Sequence, residues 1–547
     1  MSAQLNVLTM KICLKPATAT LLTWTLVLAS VGARTAPVPT PPPPLASGTP
    51  TPQDAGRFLS QATFGATSPL ISKVQRQGFD AFLNEQFIAP ISSHIAFVDA
   101  TGVNPPTFQQ TVDAWWTYAV SAPDQLRQRV AFALSEFFVV SRRPGSLGDQ
   151  PGALPAYMDV LVKGAFGNFR QLLEDVTLNP AMGSYLNMLL NDKGDPNTGS
   201  QPNENYAREI MQLFSIGLYK LNLDGSLMLD SSGSPIATYN QDAVLGLAAV
   251  LTGWTWAQAG TPIFSKKATP DWRDPMINVA SHHSPGAKQI LNGVLIPAGQ
   301  PADQDLQIAL DTIFNHPNVG PFFCRALIQR LVTSNPTPGY VYRVASVFND
   351  NGHGVRGDLR AVVRAILMDY DARGAAKLDQ GAGHEREPVL RVTNLLRAFN
   401  ASTPGGTFHI RRADVLLGEE PMNSPTVFNF FSPNYQEPGA IAQAGLSSPE
   451  FEITTEMTVT TIANYLNTLI YWASGISLNL SYEQILAANP TQLVDHLNSL
   501  LMAGNMSSVM RNTLINTITQ IPATSSAGRA STAVYLVINS PEFVVDK

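Results

Sequence analysis

The stretch QPNENYAREIMQLFSIGLY, residues 201–219, holds the densest group of polar side chains in the chain and has a clear helical period. At about 100° per residue, one broad face takes the apolar side chains and the opposite arc takes the polar ones. The apolar face comprises Tyr206, Ile210, Leu213, Phe214 and Gly217. The polar arc comprises Glu204, Asn205, Arg208, Glu209 and Gln212. The pattern predicts an amphipathic helix that Asn203 caps and Gly217 ends.

The polar arc has two interpretations. In the first, Glu204 and Arg208 form an exposed i, i+4 pair that stabilises the helix by about 0.2–0.5 kcal/mol. In the second, Glu204 and Glu209 are catalytic as general acid and base, and Arg208 holds an anionic or carboxylate group. The same motif also contains Asn203, Asn205 and Tyr206. The second interpretation requires a cleft beside the arc, which periodicity does not establish.

Helical periodicity with breaks at Gly, Pro or Asn continues on both sides of this stretch. It predicts a mainly α fold, a multi-helix globular bundle over residues 53–547. The exception is LDGSLMLDSSGSPIATYN, residues 223–240, whose short apolar pieces and turn residues predict a small β-hairpin or ribbon. After the next helix, capped by Asn240, residues 257–300 are irregular and mark a possible internal boundary.

The N-terminus has the pattern of an export signal. Two lysines precede the apolar run ATATLLTWTLVLASVGA, residues 17–33, which ends in small residues. This predicts a cleaved signal peptide over residues 1–33, followed by a proline-rich tether over residues 34–52. An uncleaved anchor is the alternative. We expect a secreted or periplasmic protein with no membrane span after cleavage.

Composition excludes several classes of function. The net charge of -6 and the 14% of charged residues provide no basic surface for nucleic acid. Cys13 would be lost with the signal, which leaves Cys324 without a disulfide partner and predicts a buried thiol. No spacing of ligands typical of a metal site occurs, so we predict neither a metal nor a cofactor.

Three further segments contain binding candidates. The loop DWRDPMINVASHHSPGAK, residues 271–288, contains His283 and Lys288. Trp254 is either a core anchor or part of a platform that stacks on sugar rings. The aromatic loop SPTVFNFFSPNYQEPG, residues 424–439, carries Phe430 and Phe431 and either plugs the core or lines a cleft.

Several blocks occur in a familiar order: LNPAMGSYLNMLLND (178–192), PNENYAREIMQLFSIGL (202–218), TYNQDAVLGLAAVLTGWTW (238–256), REPVLR (386–391) and SPTVFNFFSPNY (424–435). Together they resemble a bacterial family called domain of unknown function 1800. His283 and Lys288 match the family's pattern. His384 and Glu385 depart from it, since relatives often carry lysine and leucine there, and we expect no shared role for these two residues.

The resemblance implies an exported protein without an established reaction. Genes of this family often neighbour genes for domain of unknown function 1501, a secreted family related to alkaline phosphatases and sulfatases. We therefore expect a non-catalytic envelope or extracellular assembly component with a partner of that kind. The alternative is a secreted hydrolase that acts on a polymer or glycan, with Glu204 and Glu209 as its acid and base.

Overall fold

The computed structural model describes residues 48–143, 145, 147–374, 381–472 and 475–547. The described residues belong to one compact unit. The predicted signal peptide and residues 34–47 of the predicted tether lie outside the described residues. No described helix combines the length and the apolar character that crossing a membrane requires.

Twenty-four α-helices account for most of the described chain, which confirms the predicted mainly α fold. The first ten are α1 (Pro52–Ala62), α2 (Ser68–Phe87), α3 (His94–Ala100), α4 (Phe108–Ser121), α5 (Gln125–Ser135), α6 (Ala153–Gly164), α7 (Phe169–Leu178), α8 (Pro180–Tyr185), α9 (Asn205–Gln212) and α10 (Gln241–Val250). The next eight are α11 (Ala302–Phe314), α12 (Val319–Leu331), α13 (Pro338–Asn349), α14 (Leu359–Met368), α15 (Tyr370–Arg373), α16 (Pro388–Ala398), α17 (Ala413–Leu416) and α18 (Ala440–Gln443). The last six are α19 (Glu456–Tyr471), α20 (Ser481–Leu486), α21 (Pro490–Leu501), α22 (Ser508–Gln520), α23 (Ser526–Ile538) and α24 (Pro541–Val544).

Side-chain caps fix where many of these helices begin. The Thr51 hydroxyl accepts a hydrogen bond from the Asp54 backbone N–H, and the Asp54 carboxylate accepts one from the Thr51 backbone N–H. Asn240 caps α10 as predicted, since its Oδ1 accepts a hydrogen bond from the Ala243 N–H at 3.1 Å. Such caps satisfy backbone donors that the first turn of a helix leaves without partners.

Within the described residues, the strands are two residues long and form three antiparallel pairs. They are β1 (Trp254–Thr255) with β2 (Ile277–Asn278), β3 (Lys288–Gln289) with β4 (Leu295–Ile296), and β5 (His384–Glu385) with β6 (Val545–Asp546). Helix α10 lies against β3 so closely that a Cβ at Gly246 would stand 1.8 Å from the Gln289 carbonyl oxygen. Only glycine allows this approach, which places Lys288 beside the helix.

The predicted β insertion is present between α9 and α10 as a small ribbon. The Lys220 N–H donates to the Ile236 carbonyl at 2.7 Å, the Met228 N–H to the Lys220 carbonyl at 2.8 Å, and the Ile236 N–H to the Met228 carbonyl at 3.1 Å. The ribbon starts earlier than the predicted residue 223, because the Thr238 N–H already bonds to the Leu218 carbonyl. We call residues 217–238 the ribbon.

Candidate functional site

Helix α9 carries the polar motif on its outer surface. Arg208 Nη2 lies 2.9 Å from Glu204 Oε2, and both side chains are partly exposed, at 40% and 32%. Gln241 Nε2 donates to the same Glu204 oxygen at 2.9 Å. The helix runs from Asn205 to Gln212, so it ends before the predicted Gly217. Glu204 occupies the cap position predicted for Asn203, whose Oδ1 accepts a hydrogen bond from the Asn205 N–H at 2.9 Å. Glu204 and Arg208 therefore form a surface ion pair that bridges α9 to the start of α10.

Glu209 has a different environment. Its Oε2 is buried and has no hydrogen-bond partner among the described residues. Burial raises the pKa of Glu209, and the charge of Arg208 lowers it by less. Five helical residues correspond to a rotation of about 140°, so Glu204 and Glu209 project in different directions. Tyr206 is buried beneath them, with its hydroxyl 2.7 Å from Thr177 Oγ1.

His283 and Lys288 meet through a residue that the sequence did not reveal. Asp305, fully buried on α11, lies 3.1 Å from His283 Nε2 and 2.7 Å from Lys288 Nζ through the same Oδ2. Lys288 Nζ also donates to the Gly286 carbonyl at 3.0 Å, and His283 Nδ1 lies 3.1 Å from the Thr252 carbonyl. This buried network ties the 271–288 loop to α11.

The aromatic candidates separate into a core residue and two residues near a cleft. Trp254 is 1% exposed, so its ring packs in the core and presents no open stacking face. Phe431 is 2% exposed and packs against the Arg330 guanidinium, 4.4 Å from the ring centroid. Phe430 lines a small cavity together with Glu136 and Asn429. The aromatic loop therefore covers the region around Glu136.

A cleft of about 650 Å³ lies between α9, the ribbon, α12 and the aromatic loop. We call it the ribbon cleft. None of the catalytic candidates Glu204, Arg208 and Glu209 is in its lining, although Gln212 and Leu213 at the end of α9 are. Its lining is largely apolar and includes Phe137, Leu213, Leu218, Tyr219, Leu221, Leu227, Phe322, Val427 and Phe428.

Two arginines of α12 provide the cationic groups of the ribbon cleft. Arg330 is 8% exposed and lies 3.5 Å from Glu136 Oε1, through its Nη1. Arg325 is half-buried and has no hydrogen-bond or carboxylate partner within the described part of the chain. Burial lowers the pKa of the Arg325 guanidinium. The cleft thus combines an apolar wall with the Arg325 guanidinium, for which the described residues supply no partner.

Glu136 belongs to a group of three buried acids that we call the carboxylate cluster: Glu136, Glu387 and Glu419. One oxygen from each lies within 4.8 Å of the others, and their exposed fractions are 6%, 0% and 0%. The pKa of Glu136 and of Glu387 is raised to about 8, and that of Glu419 to about 7, mainly because the carboxyl groups are buried. Such environments are typical of functional sites, although structural ion networks also produce them.

The family described as "Protein of unknown function (DUF1800)" matches residues 57–545. The chain belongs to the DUF1800 family. No curated protein and no solved structure matches it.

The carboxylate cluster of this DUF1800 protein was missed by sequence reasoning. Glu136 ends α5, Glu387 precedes α16 and Glu419 follows α17, so no local spacing relates the three. One signal was available. Glu136 is the single charged residue in the apolar run VAFALSEFFVV, residues 130–140, and a lone acid in such a run is seldom buried without a partner.

Proposed function

We propose that this DUF1800 protein is an exported, non-catalytic assembly component that docks a partner protein in the ribbon cleft. The partner we propose is the secreted, phosphatase- or sulfatase-like family of domain of unknown function 1501. The observation that carries the proposal is an apolar rim that continues into the cleft. Leu218, Tyr219, Leu227 and Phe428 are 48%, 45%, 47% and 57% exposed.

Exposed apolar groups of this kind favour docking over catalysis. Single exposed hydrophobic side chains are common, but a contiguous patch bordering a cleft is typical of protein interaction sites. Four such residues from the ribbon and the aromatic loop meet at one cleft. An apolar anchor of the partner that fills the cleft would be desolvated on several sides, as in a binding hot spot.

Arg325 adds a chemical requirement for the occupant. A half-buried guanidinium without a partner loses hydration, and a carboxylate from the bound protein would restore its hydrogen bonds. We therefore propose that the docking segment presents a large apolar or aromatic side chain next to an Asp or Glu. The free Arg325 would also select against a partner with a cation at that position.

The test uses purified proteins and measures affinity by isothermal titration calorimetry. The ligand is a purified protein of the domain of unknown function 1501 family. Leu227→Glu and Arg325→Met are each expected to weaken binding at least tenfold, a loss of about 1.4 kcal/mol. The matched control is Val509→Glu on α22, since Val509 is 75% exposed and outside the cleft lining.

Each result bears on a different part of the proposal. Equal weakening by Leu227→Glu and Val509→Glu would remove the ribbon cleft from the proposal. Absence of binding by the wild-type protein would remove the partner. Melting curves of all variants must coincide, since a shared loss of folding would imitate a loss of binding.

Export is tested separately by sequencing the N-terminus of the protein recovered from the producing bacterium's culture fluid or periplasm. Cleavage of the signal predicts a mature start near Arg34. A protein that retains Met1 and stays with the membrane would instead support the uncleaved anchor.

The hydrolase alternative retains one observation in its favour. Glu209 has a buried oxygen that no described residue hydrogen-bonds and a raised pKa, which are properties of a general acid. Glu204 differs, because Arg208 and Gln241 already occupy its carboxylate. A glycan-cleaving activity that Glu209→Gln abolishes and Glu204→Gln preserves would favour a single-acid mechanism over the docking role.

A further inference from the structure

The carboxylate cluster and its neighbour Glu450 have carboxylate oxygens that no described N–H or hydroxyl donor reaches. In these four residues the oxygens are both of Glu387 and one each of Glu136, Glu419 and Glu450, and the carboxyl groups of Glu387 and Glu419 are close enough to share a proton. The second oxygens of Glu136 and Glu419 do accept hydrogen bonds. Asn429 Nδ2 donates to Glu136 Oε1 at 3.0 Å, and the Val389 N–H donates to Glu419 Oε2 at 3.2 Å. A buried carboxylate without donors is strongly destabilising unless another charge satisfies it.

The nearby arginines do not balance these charges. Arg330 approaches Glu136 at 3.5 Å, and the buried Arg129 donates through Nη2 to the Arg330 carbonyl instead of to a carboxylate. The four acids, Glu450 included, carry one charge each when ionised, against one each for Arg129 and Arg330. The excess is two negative charges, which equals the charge of one divalent cation.

We propose that Glu136, Glu387 and Glu419 bind a hard divalent cation of the class that comprises Ca²⁺, Mg²⁺ and Mn²⁺. Carboxylate oxygens are the ligands these ions prefer, and a set of oxygens without thiolate or imidazole disfavours zinc or copper. One oxygen of each residue lies within 4.8 Å of the others, a separation that ligands of one ion can adopt. Glu450 adds negative charge beside the site.

The network of Lys288, Asp305 and His283 shows how this chain treats a buried acid elsewhere. There, a cation at 2.7 Å and an imidazole at 3.1 Å share one carboxylate oxygen. In the carboxylate cluster, Arg330 approaches Glu136 Oε1 only to 3.5 Å, and no described cation lies within 4.0 Å of a Glu387 or Glu419 oxygen. A proton shared between Glu387 and Glu419 is the competing explanation, and it differs from a cation because it makes no prediction about bound metal.

The cation site is independent of partner docking, although the two are adjacent. Glu136 lines the ribbon cleft and also accepts the hydrogen bond from Asn429, which lies in the aromatic loop. A cation held by Glu136 would therefore fix the residue that anchors this loop. The tests below need no partner protein, so their failure leaves the proposed docking function untouched.

The first experiment measures metal in the mature protein. The protein is treated with EDTA, desalted, and dialysed separately against Ca²⁺, Mg²⁺ and Mn²⁺, and bound metal is counted by plasma mass spectrometry. We expect about one equivalent of at least one of these ions. At a hundredfold excess over the dissociation constant, the bound ion should raise Tm by roughly 2–3 °C.

The second experiment uses isosteric variants. Glu387→Gln and Glu419→Gln keep the side-chain volume and remove one negative charge each, and each should weaken metal binding at least tenfold. The control is Glu420→Gln, because Glu420 is also buried and adjacent in sequence, but its carboxylate bonds to Asn423 and lies near Arg142. That variant should bind metal as wild type does.

A reversal of sign separates the cation from the shared proton. In EDTA, Glu387→Gln should melt at the same temperature as wild type or higher, because it relieves repulsion between carboxylates. With metal present it should melt lower than wild type. Wild-type protein that binds less than about a tenth of an equivalent of every ion, with an unchanged Tm, would overturn the proposal. So would full binding by both cluster variants.

Discussion

Replacing Lys288 with methionine would remove the cation from a buried network and leave Asp305 with its contacts to His283 and Gln300. At 2.7 Å and an effective dielectric constant of 20, the Coulomb attraction between Lys288 and Asp305 is about 6 kcal/mol. Desolvation of both groups offsets part of this attraction. A net loss of about 3–5 kcal/mol of unfolding free energy remains.

The loss converts to a measurable change in melting temperature. At about 2.1 cal/mol/K per residue, the unfolding entropy of a 547-residue chain is on the order of 1 kcal/mol/K. We therefore expect Tm to fall by about 3–5 °C in Lys288→Met, measured by differential scanning calorimetry. Lys266→Met, at an exposed lysine in the same irregular segment, is the control and should be neutral.

A double variant completes the test. Lys288→Met with Asp305→Asn removes both charges, so it should melt above Lys288→Met alone, because no buried carboxylate is left without its cation. A Tm of Lys288→Met within 1 °C of wild type would refute the assignment of His283, Lys288 and Asp305 as a network that holds this loop.

Three further predictions follow from single environments. Glu209→Gln should change Tm by less than about 1 °C, because Glu209 has a raised pKa and no close ion pair, and a fall of several degrees would contradict this. Burial lowers the pKa of His316 to about 4, so as the pH falls the unfolded chain takes up a proton at this residue before the folded chain does. The free energy of unfolding should therefore fall as the pH drops from about 6.5 toward 4. His316→Asn retains an acceptor for the Asn318 N–H and should flatten that part of a Tm–pH curve. Burial raises the pKa of the Cys324 thiol well above its usual range, so an aromatic disulfide reagent should label it only in denaturant, and rapid labelling of the native protein would contradict the burial.

Periodicity predicted what depends on one helix face. Tyr206, Ile210 and Phe214 are buried, and Glu204 and Arg208 lie on the outer arc of α9, as the helical interval indicated. Asn240 caps its helix for an equally local reason, because its side chain reaches a donor three residues away. These features were predictable because the interacting groups lie within one or two turns of each other.

The clustered charges depend on tertiary packing and had no such local pattern. Asp305 on α11 reaches Lys288 on β3, and Glu136 and Glu419 are almost 300 residues apart in the chain. Glu136 and Glu419 lie just beyond the ends of α5 and α17, where periodicity carries least information. The metal prediction from the sequence examined only close spacings of ligands, so it had no means of finding three separated glutamates.

The depth of the aromatic side chains was also beyond the sequence. Phe431 packs under Arg330 whereas Phe428, three residues earlier, is 57% exposed at the rim of the ribbon cleft. An irregular loop has no fixed period that could distinguish the two rings. The positive φ of Asn429, +69°, turns the chain between them.

The most direct test of the docking account is photo-crosslinking from the rim of the ribbon cleft. A photoreactive phenylalanine analogue replaces Phe428 in one preparation and Val509 in another, and each is irradiated with the purified protein of domain of unknown function 1501. The account predicts a covalent complex from position 428 and none from position 509. A complex from position 509 alone, or binding without any crosslink from position 428, would contradict it.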